Sequence, residues 1–196
     1  TEDDETVNLQ IVVQAGPAVL GTQTTHEATI TDDDPATVSF QAASSATVDE
    51  AAGNHGIDVV LNVTSGTTPT DITVDVTDAG GGTATSDSDY SAVGTTTLTF
   101  PSGSVNGAVQ TSDLGVLSDI LVEGNETVNL QLSNVTGPGA LGAQTTHTAT
   151  ITDDDLATVA FQIPASATTD ESTGNHGVTV VLSVPSGTIP SDITVD

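Results

Sequence analysis

Segment after segment of this chain returns 121 positions later, and this repeat limits its architecture more than any other feature. ETVNLQ at 5–10 reappears at 126–131, and QTTH at 23–26 reappears at 144–147. GNHG at 53–56 matches 174–177, and DITVD at 71–75 matches 192–196. The offset never slips, and about two-thirds of positions 1–75 are identical to their counterparts in 122–196. Such a period is too long for a solenoid unit and suits one whole domain. We therefore read 1–34 as the C-terminal part of one module, 36–155 as a complete module and 157–196 as the N-terminal part of a third. Only Pro35 or Leu156 separates them, too short a linker for free swinging.

Within 36–155 the apolar residues alternate. IDVVLNV (57–63) sets Ile57, Val59, Leu61 and Val63 on one face and Asp58 and Asn62 on the other. ETVNLQL (126–132) does the same with Val128, Leu130 and Leu132, and TVSF (37–40), TTLTF (96–100) and THTATIT (146–152) follow. Period-two alternation in β-branched residues, broken by Gly, Pro, Asn and Asp, predicts half-buried antiparallel strands. Seven or so strands in one module predict an all-β fold, an immunoglobulin-like antiparallel sandwich.

Charge narrows the partners. The chain carries 27 acids and no Lys or Arg, a formal charge of −27. It has nothing with which to neutralise phosphates, so nucleic acid and anionic lipid are excluded as electrostatic partners. No apolar run is long enough to insert into a membrane as a helix. Cysteine is absent, which rules out disulfides and thiolate metal sites. The regular apolar runs argue for folding in spite of the charge. Richness in Thr, Ser, Gly, Ala, Val and Asp, without Met or Trp, leans toward an exported, extracellular or cell-surface protein.

The complete module resembles the Calx-β domain family. The matching stretches are TVSF…TVDE (37–50), ITVDV and GGGTATSDSDY (72–90), TLTFPSGS (97–104), LSDILVEGNETVNLQLSN (117–134) and ATITDDD (149–155), in the family's order and spacing. The resemblance implies a seven-stranded sandwich holding Ca²⁺ in loops at one end. Carried over by motif position, the ligands it implies are Glu50, Asp89, Asp119, Glu123, Glu126, Asp153, Asp154 and Asp155, with the Leu121 carbonyl. These eight are more than half of the acids between 36 and 155. Partial sites fall on Glu2, Glu5, Asp32, Asp33, Asp34 and Glu171. The family's acidic cluster reads LSDIL here, with Ser118 and Ile120 where carboxylates can stand, which bears on the number of ions.

Physical chemistry supports an ion at such a cluster. Two carboxylates ~5 Å apart repel by about 3 kcal/mol at an effective dielectric near 20. With no Lys or Arg in the chain, the compensating cation has to come from solution. Calcium, with six to eight oxygen ligands, suits the set better than magnesium, which keeps its waters. No EF-hand or nonapeptide calcium loop is present.

The remaining features carry less. His147 alternates in phase with Ala149 and Ile151, which predicts a packed strand position, and His26 is its repeat counterpart. His55 is read as a Gly-flanked turn residue near Glu50, and His176 is its counterpart. No nucleophile elbow supports a Ser-His-Asp site, and 2% aromatics leave no platform for sugars, so no catalysis is expected. Sequons at Asn62, Asn125 and Asn134 leave glycans open. The resulting expectation is a calcium-binding structural repeat of an extracellular adhesin stalk or filament. Ca²⁺ stiffens its junctions, and its partners are neighbouring modules or other copies of the chain. A calcium sensor, or the accessory region of a secreted enzyme, is the alternative.

Overall fold

The computed structural model of the chain describes residues 4–31, 35–45, 47–162 and 168–196. Alternation decides where strands form. A two-stranded hairpin, β1 (Glu5–Gln10) with β2 (Thr25–Ile30), comes first. Then follow β3 (Ala36–Phe40), β4 (Val48–Asp49), β5 (Asn54–Asn62), β6 (Ile72–Asp78) and β7 (Thr96–Phe100). Next come β8 (Val109–Gly115), β9 (Glu126–Thr136), β10 (Gly139–Leu141) and β11 (Thr146–Thr152). A second hairpin, β12 (Thr158–Phe161) with β13 (Val180–Ser183), follows them.

Strands β3 to β11 build two facing sheets, one ordered β10-β3-β5-β8 and the other β4-β11-β9-β6-β7. Seven of the nine have five or more residues. Between the sheets the inward residues of each strand close one core: Val38, Phe40, Ile57, Val59, Leu61, Ile72, Val74, Val76, Phe100, Leu114, Val128, Leu130 and Leu132 are nearly or wholly buried. This is the β-sandwich that the alternation predicts.

Two details orient the layers. The first strand is split: β3 lies in one sheet beside β5, and the chain then crosses to the other sheet as β4, which pairs in parallel with β11 (Val48 with Ile151, Asp49 with Thr152). On β9, an extra residue opposes β6 between Thr73 and Asp75, and Asn134 takes up the irregularity at φ 51°. Its side-chain amide donates to Asp75 Oδ2 at 3.0 Å, which holds this bulge in place.

His147 is buried against the Phe40 ring, centroids 5.4 Å apart, and its Nδ1–H donates to the Ala42 carbonyl at 2.9 Å. His55 stands in β5, in phase with Ile57 and Val59, and not in the turn that its flanking glycines suggested. Paired strand backbone claims it because β8 supplies a ladder partner, Leu114. Burial, and then the nearby His147, hold its pKa below the ordinary value.

Leu130 sits mid-way along β9 with 1% exposure. Leu130→Ala is expected to cost about 2–5 kcal/mol in chemical denaturation, because the rigid facing sheet cannot collapse onto the void.

Candidate metal centre

Topology brings four separated segments to one end of the sandwich. Because β4 and β11 run parallel, Glu50 just after β4 and Asp153–Asp155 just after β11 emerge together. Strand β9 runs antiparallel to β11, so its first residue, Glu126, lies opposite Ile151 at that same end. Strand β6 is antiparallel to β9, so the loop that follows it, carrying Asp89, arrives there too.

Each acid is held locally. Asp49 caps a 3-10 turn over Glu50–Ala52 by accepting the Ala51 amide at 3.0 Å, and Glu50 is left with 6% exposure. Glu50 Oε1 accepts the Asp119 amide at 3.2 Å, and Asp119 Oδ1 accepts the Leu121 amide at 2.6 Å. Asp153 accepts the Glu123 amide at 2.8 Å with Oδ2 and the Asp155 amide at 3.0 Å with Oδ1, so it staples the β8–β9 loop to the end of β11. Asp89 Oδ2 accepts the Thr85 amide at 2.5 Å, and the neighbouring Tyr90 hydroxyl donates to Asp78 Oδ2 at 2.6 Å. Burial, and then that hydrogen bond, push the Tyr90 pKa up to about 12, so the anchor stays protonated.

The β6–β7 loop also continues the sheet beyond the end of β6. Ala79 and Ala84 amides donate to the carbonyls of Asn129 and Thr127, and Thr83 and Thr127 exchange amide-to-hydroxyl bonds of 3.2 and 2.9 Å. Gly82 permits this approach, since a Cβ there would stand 2.1 Å from the Thr127 carbonyl oxygen. The Thr83–Thr127 clasp and Gly82 set the distance from Asp89 to Glu126. A GGG run is their one trace in the sequence.

Two trios of acids result, Glu50 with Asp119 and Asp155, and Asp89 with Glu123 and Glu126, each offering oxygens within 4.8 Å of one another. Six of the eight carboxylates implied by the sequence are thus gathered. Asp153 serves by holding backbone amides, while Asp154 is exposed beside them and adds its charge to Glu50 and Asp155. Leu121 lies between the ligand segments with its amide engaged. The partial sites are not assembled among the described residues: Glu5 is exposed in β1, and Glu171 is exposed at the start of a 3-10 turn. Glu2, Asp32, Asp33 and Asp34 lie outside the described residues.

The electrostatics carry the mark of crowding. Burial, and then neighbouring carboxylates, hold the pKa of Glu123 above the ordinary range. The same two influences raise Asp155. Burial also raises Glu50, which the Asp119 amide partly offsets. Glu126 is pushed up to about 7 by burial first, then by a hydrogen bond shared with Asp89 and by the charges of Asp89, Glu123 and Glu50. Within this cluster, the buried Asp155 Oδ2 has no hydrogen-bond partner. An orphaned, desolvated carboxylate oxygen among acids, in a chain without Lys or Arg, is the environment a hard cation relieves. The residues present fit such an ion.

The Calx-beta domain profile matches residues 31–155. The chain belongs to the Calx-beta family. This is a family of calcium-binding domains. Among solved structures, CBD12 from CALX1.2 is 27% identical, with a TM-score of 0.52 over 61% of this chain. This chain spans 44% of that protein's length. The apo-form Calx CBD1 domain is 24% identical, with a TM-score of 0.51, covering 62% of this chain and all of that domain, and shares the fold. No curated protein sequence matches the chain.

Two outcomes follow, the first for the metal-free protein and the second for calcium binding. A carboxyl whose folded pKa lies above its unfolded value binds its proton more tightly when folded. Glu126 therefore contributes stability that is fully present below 4.5 and lost as pH rises through about 7. Thermal unfolding in chelator should show this decline, and Glu126→Gln should remove much of it. Gly82→Ala, which forces the loop off Thr127, is expected to weaken calcium binding about 10-fold by calorimetry, in the range seen when a metal ligand loses its support.

Proposed function

We propose that the module spanning 36–155 is a calcium-dependent structural unit of an extracellular array, an adhesin stalk or filament, and that it binds rather than catalyses. The observation that carries this is the pair of acid trios at the end where β4 and β11 run side by side, next to the short connection to residues 157–196. Divalent ions there neutralise charges that otherwise repel by about 3 kcal/mol per close pair. At free calcium 100-fold above its dissociation constant, each site adds about 2.7 kcal/mol to the fold.

The flanking segments support the array. Val7 and Leu9 of β1, Phe161 of β12 and Leu182 of β13 are exposed, whereas their repeat counterparts Val128, Leu130, Phe40 and Leu61 are buried. Each flanking hairpin thus carries one apolar face of a sandwich, as expected of parts of neighbouring modules. Repeats that share about two-thirds of their residues at a constant offset favour a stalk over a sensor, in which modules differentiate.

Titration separates these readings. Half-saturation near 0.1–1 mM suits an extracellular structural module, and low-micromolar saturation suits a sensor. Glu50→Gln and Asp119→Asn are each expected to weaken binding by about 10–100-fold or more. Small-angle scattering of the full chain should show a longer particle with calcium than with chelator. An unchanged maximum dimension would sink the stiffening role.

A further inference from the structure

Away from the acid trios, three buried side-chain atoms among the described residues have no hydrogen-bond partner: Ser45 Oγ, His55 Nε2 and His147 Nε2. His55 comes from β5 of one sheet and His147 from β11 of the other, each in phase with the buried residues of its strand. Ser45 belongs to segment 41–45, on which the split first strand passes from sheet to sheet. That segment leaves β5 with the Gln41 amide on the Asp58 carbonyl, 2.9 Å. It then runs along the start of β11. The Thr148 amide donates to the Ala43 carbonyl at 3.0 Å, the Ser45 amide donates to the Thr148 carbonyl at 3.2 Å, and Ser44 bridges Thr148 in parallel.

His147 fastens the same segment through Nδ1–H, on the Ala42 carbonyl at 2.9 Å. A neutral imidazole carries a proton on one nitrogen only, so Nε2 of this ring is a bare lone pair in the interior. A second proton there would set a cation, and an N–H with no acceptor, at a residue with 4% exposure beside Phe40. His55 meets the same difficulty at its own enclosed Nε2, and burial first, then His147, lower its hold on a proton.

No opposite charge relieves either ring. Leu114 of β8 stands opposite His55 and Leu130 of β9 opposite His147, while Phe40 and residues 41–45 add no charge. The acids that neighbour these positions, Asp58 on β5 and Asp113 on β8, alternate with the inward residues and are exposed, and Asp58 accepts the Thr111 hydroxyl at 2.7 Å. Among the described residues, His147 is the one titratable group that bears on His55.

We propose that His55 and His147 form a proton-operated latch on segment 41–45: with both rings neutral the segment lies closed along β11, and a proton on either ring releases it. The latch stands apart from the acid trios and does not rest on the calcium reading. Its sign is also opposite. A histidine held below its ordinary 6.5 contributes stability that is fully present above 6.5 and is lost as pH falls through the folded value. Glu126 loses its contribution as pH rises.

Amide exchange in the calcium-loaded full chain reads the latch, because the Ser45 and Thr148 amides are bonds of the segment itself. Each histidine that ionises only on opening raises the open population about 10-fold per pH unit below 6.5. After correction for intrinsic exchange, both amides should exchange at least 10-fold faster at pH 5.5 than at 7.5, while Leu130 on β9 stays protected. The other two histidines, His26 and His176, are exposed and lie outside the module, which leaves this signal to the pair. His55→Gln should remove about 10-fold of the change, and adding His147→Gln should remove the rest. The acids are the same in every variant, so any response of the metal end cancels in the comparison. If loss of the ring packed on Phe40 unfolds the double variant, His55→Gln alone decides, since His55 is only half-buried. Equal acceleration in the parent and His55→Gln overturns the latch, as does exchange at Ser45 that stays flat across this range. Loss of protection at Leu130 in step with Ser45 is unfolding of the whole sandwich and overturns it too.

Discussion

Like-charge repulsion at one end of the sandwich is the constraint around which the rest is arranged. Six carboxylates in two trios, one of them belonging to the buried Glu50, converge where four segments meet. In most proteins nearby Lys or Arg side chains soften such a cluster, but this chain has neither. Its compensation is internal only in part: backbone amides of Ala51, Thr85, Asp119, Leu121, Glu123 and Asp155 point at carboxylates. Amides are partial charges and leave the net charge where it was. The raised pKa values of Glu50, Glu123, Glu126 and Asp155 express the remainder as a tighter hold on the proton. Proton and metal ion thus compete for the same oxygens.

The sandwich makes this crowding affordable because the opposite half of the module is uncharged in its interior and closely packed. Apolar residues from all seven long strands meet in one core, and the hydroxyl-rich outer faces of β6, β9 and β11 carry water-facing ladders. The crowded acids stand in loops and at strand ends that the sheets hold in place, a common division of labour in β-sandwiches.

Much of this was legible in the residues. Alternation placed β5, β7, β9 and β11, because period two is a local property that each strand writes for itself. The family motif pointed to every acid that the two trios contain. What stayed hidden depends on partners remote in sequence. Strand β4 is two residues long and exists because β11 offers it an edge, so no periodicity announces it. The division of eight acids into two trios, with Asp153 holding amides, follows from hydrogen bonds across 30 residues and more. His55 was drawn toward a turn by its glycine neighbours, and only pairing with β8 shows it in a strand.

The parallel pairing of β4 with β11 has a mechanical side. The two strands lie toward opposite ends of the module's chain, so a force drawing those ends apart would slide them past one another in shear instead of peeling them apart. Two paired positions, Val48 with Ile151 and Asp49 with Thr152, join them. Beyond them lie Glu50, in the turn that follows β4, and Asp155, three residues past the end of β11, members of a single trio. An ion gripped there would be a rivet through the seam that force must open first, and the tension a module withstands would then follow the calcium around it.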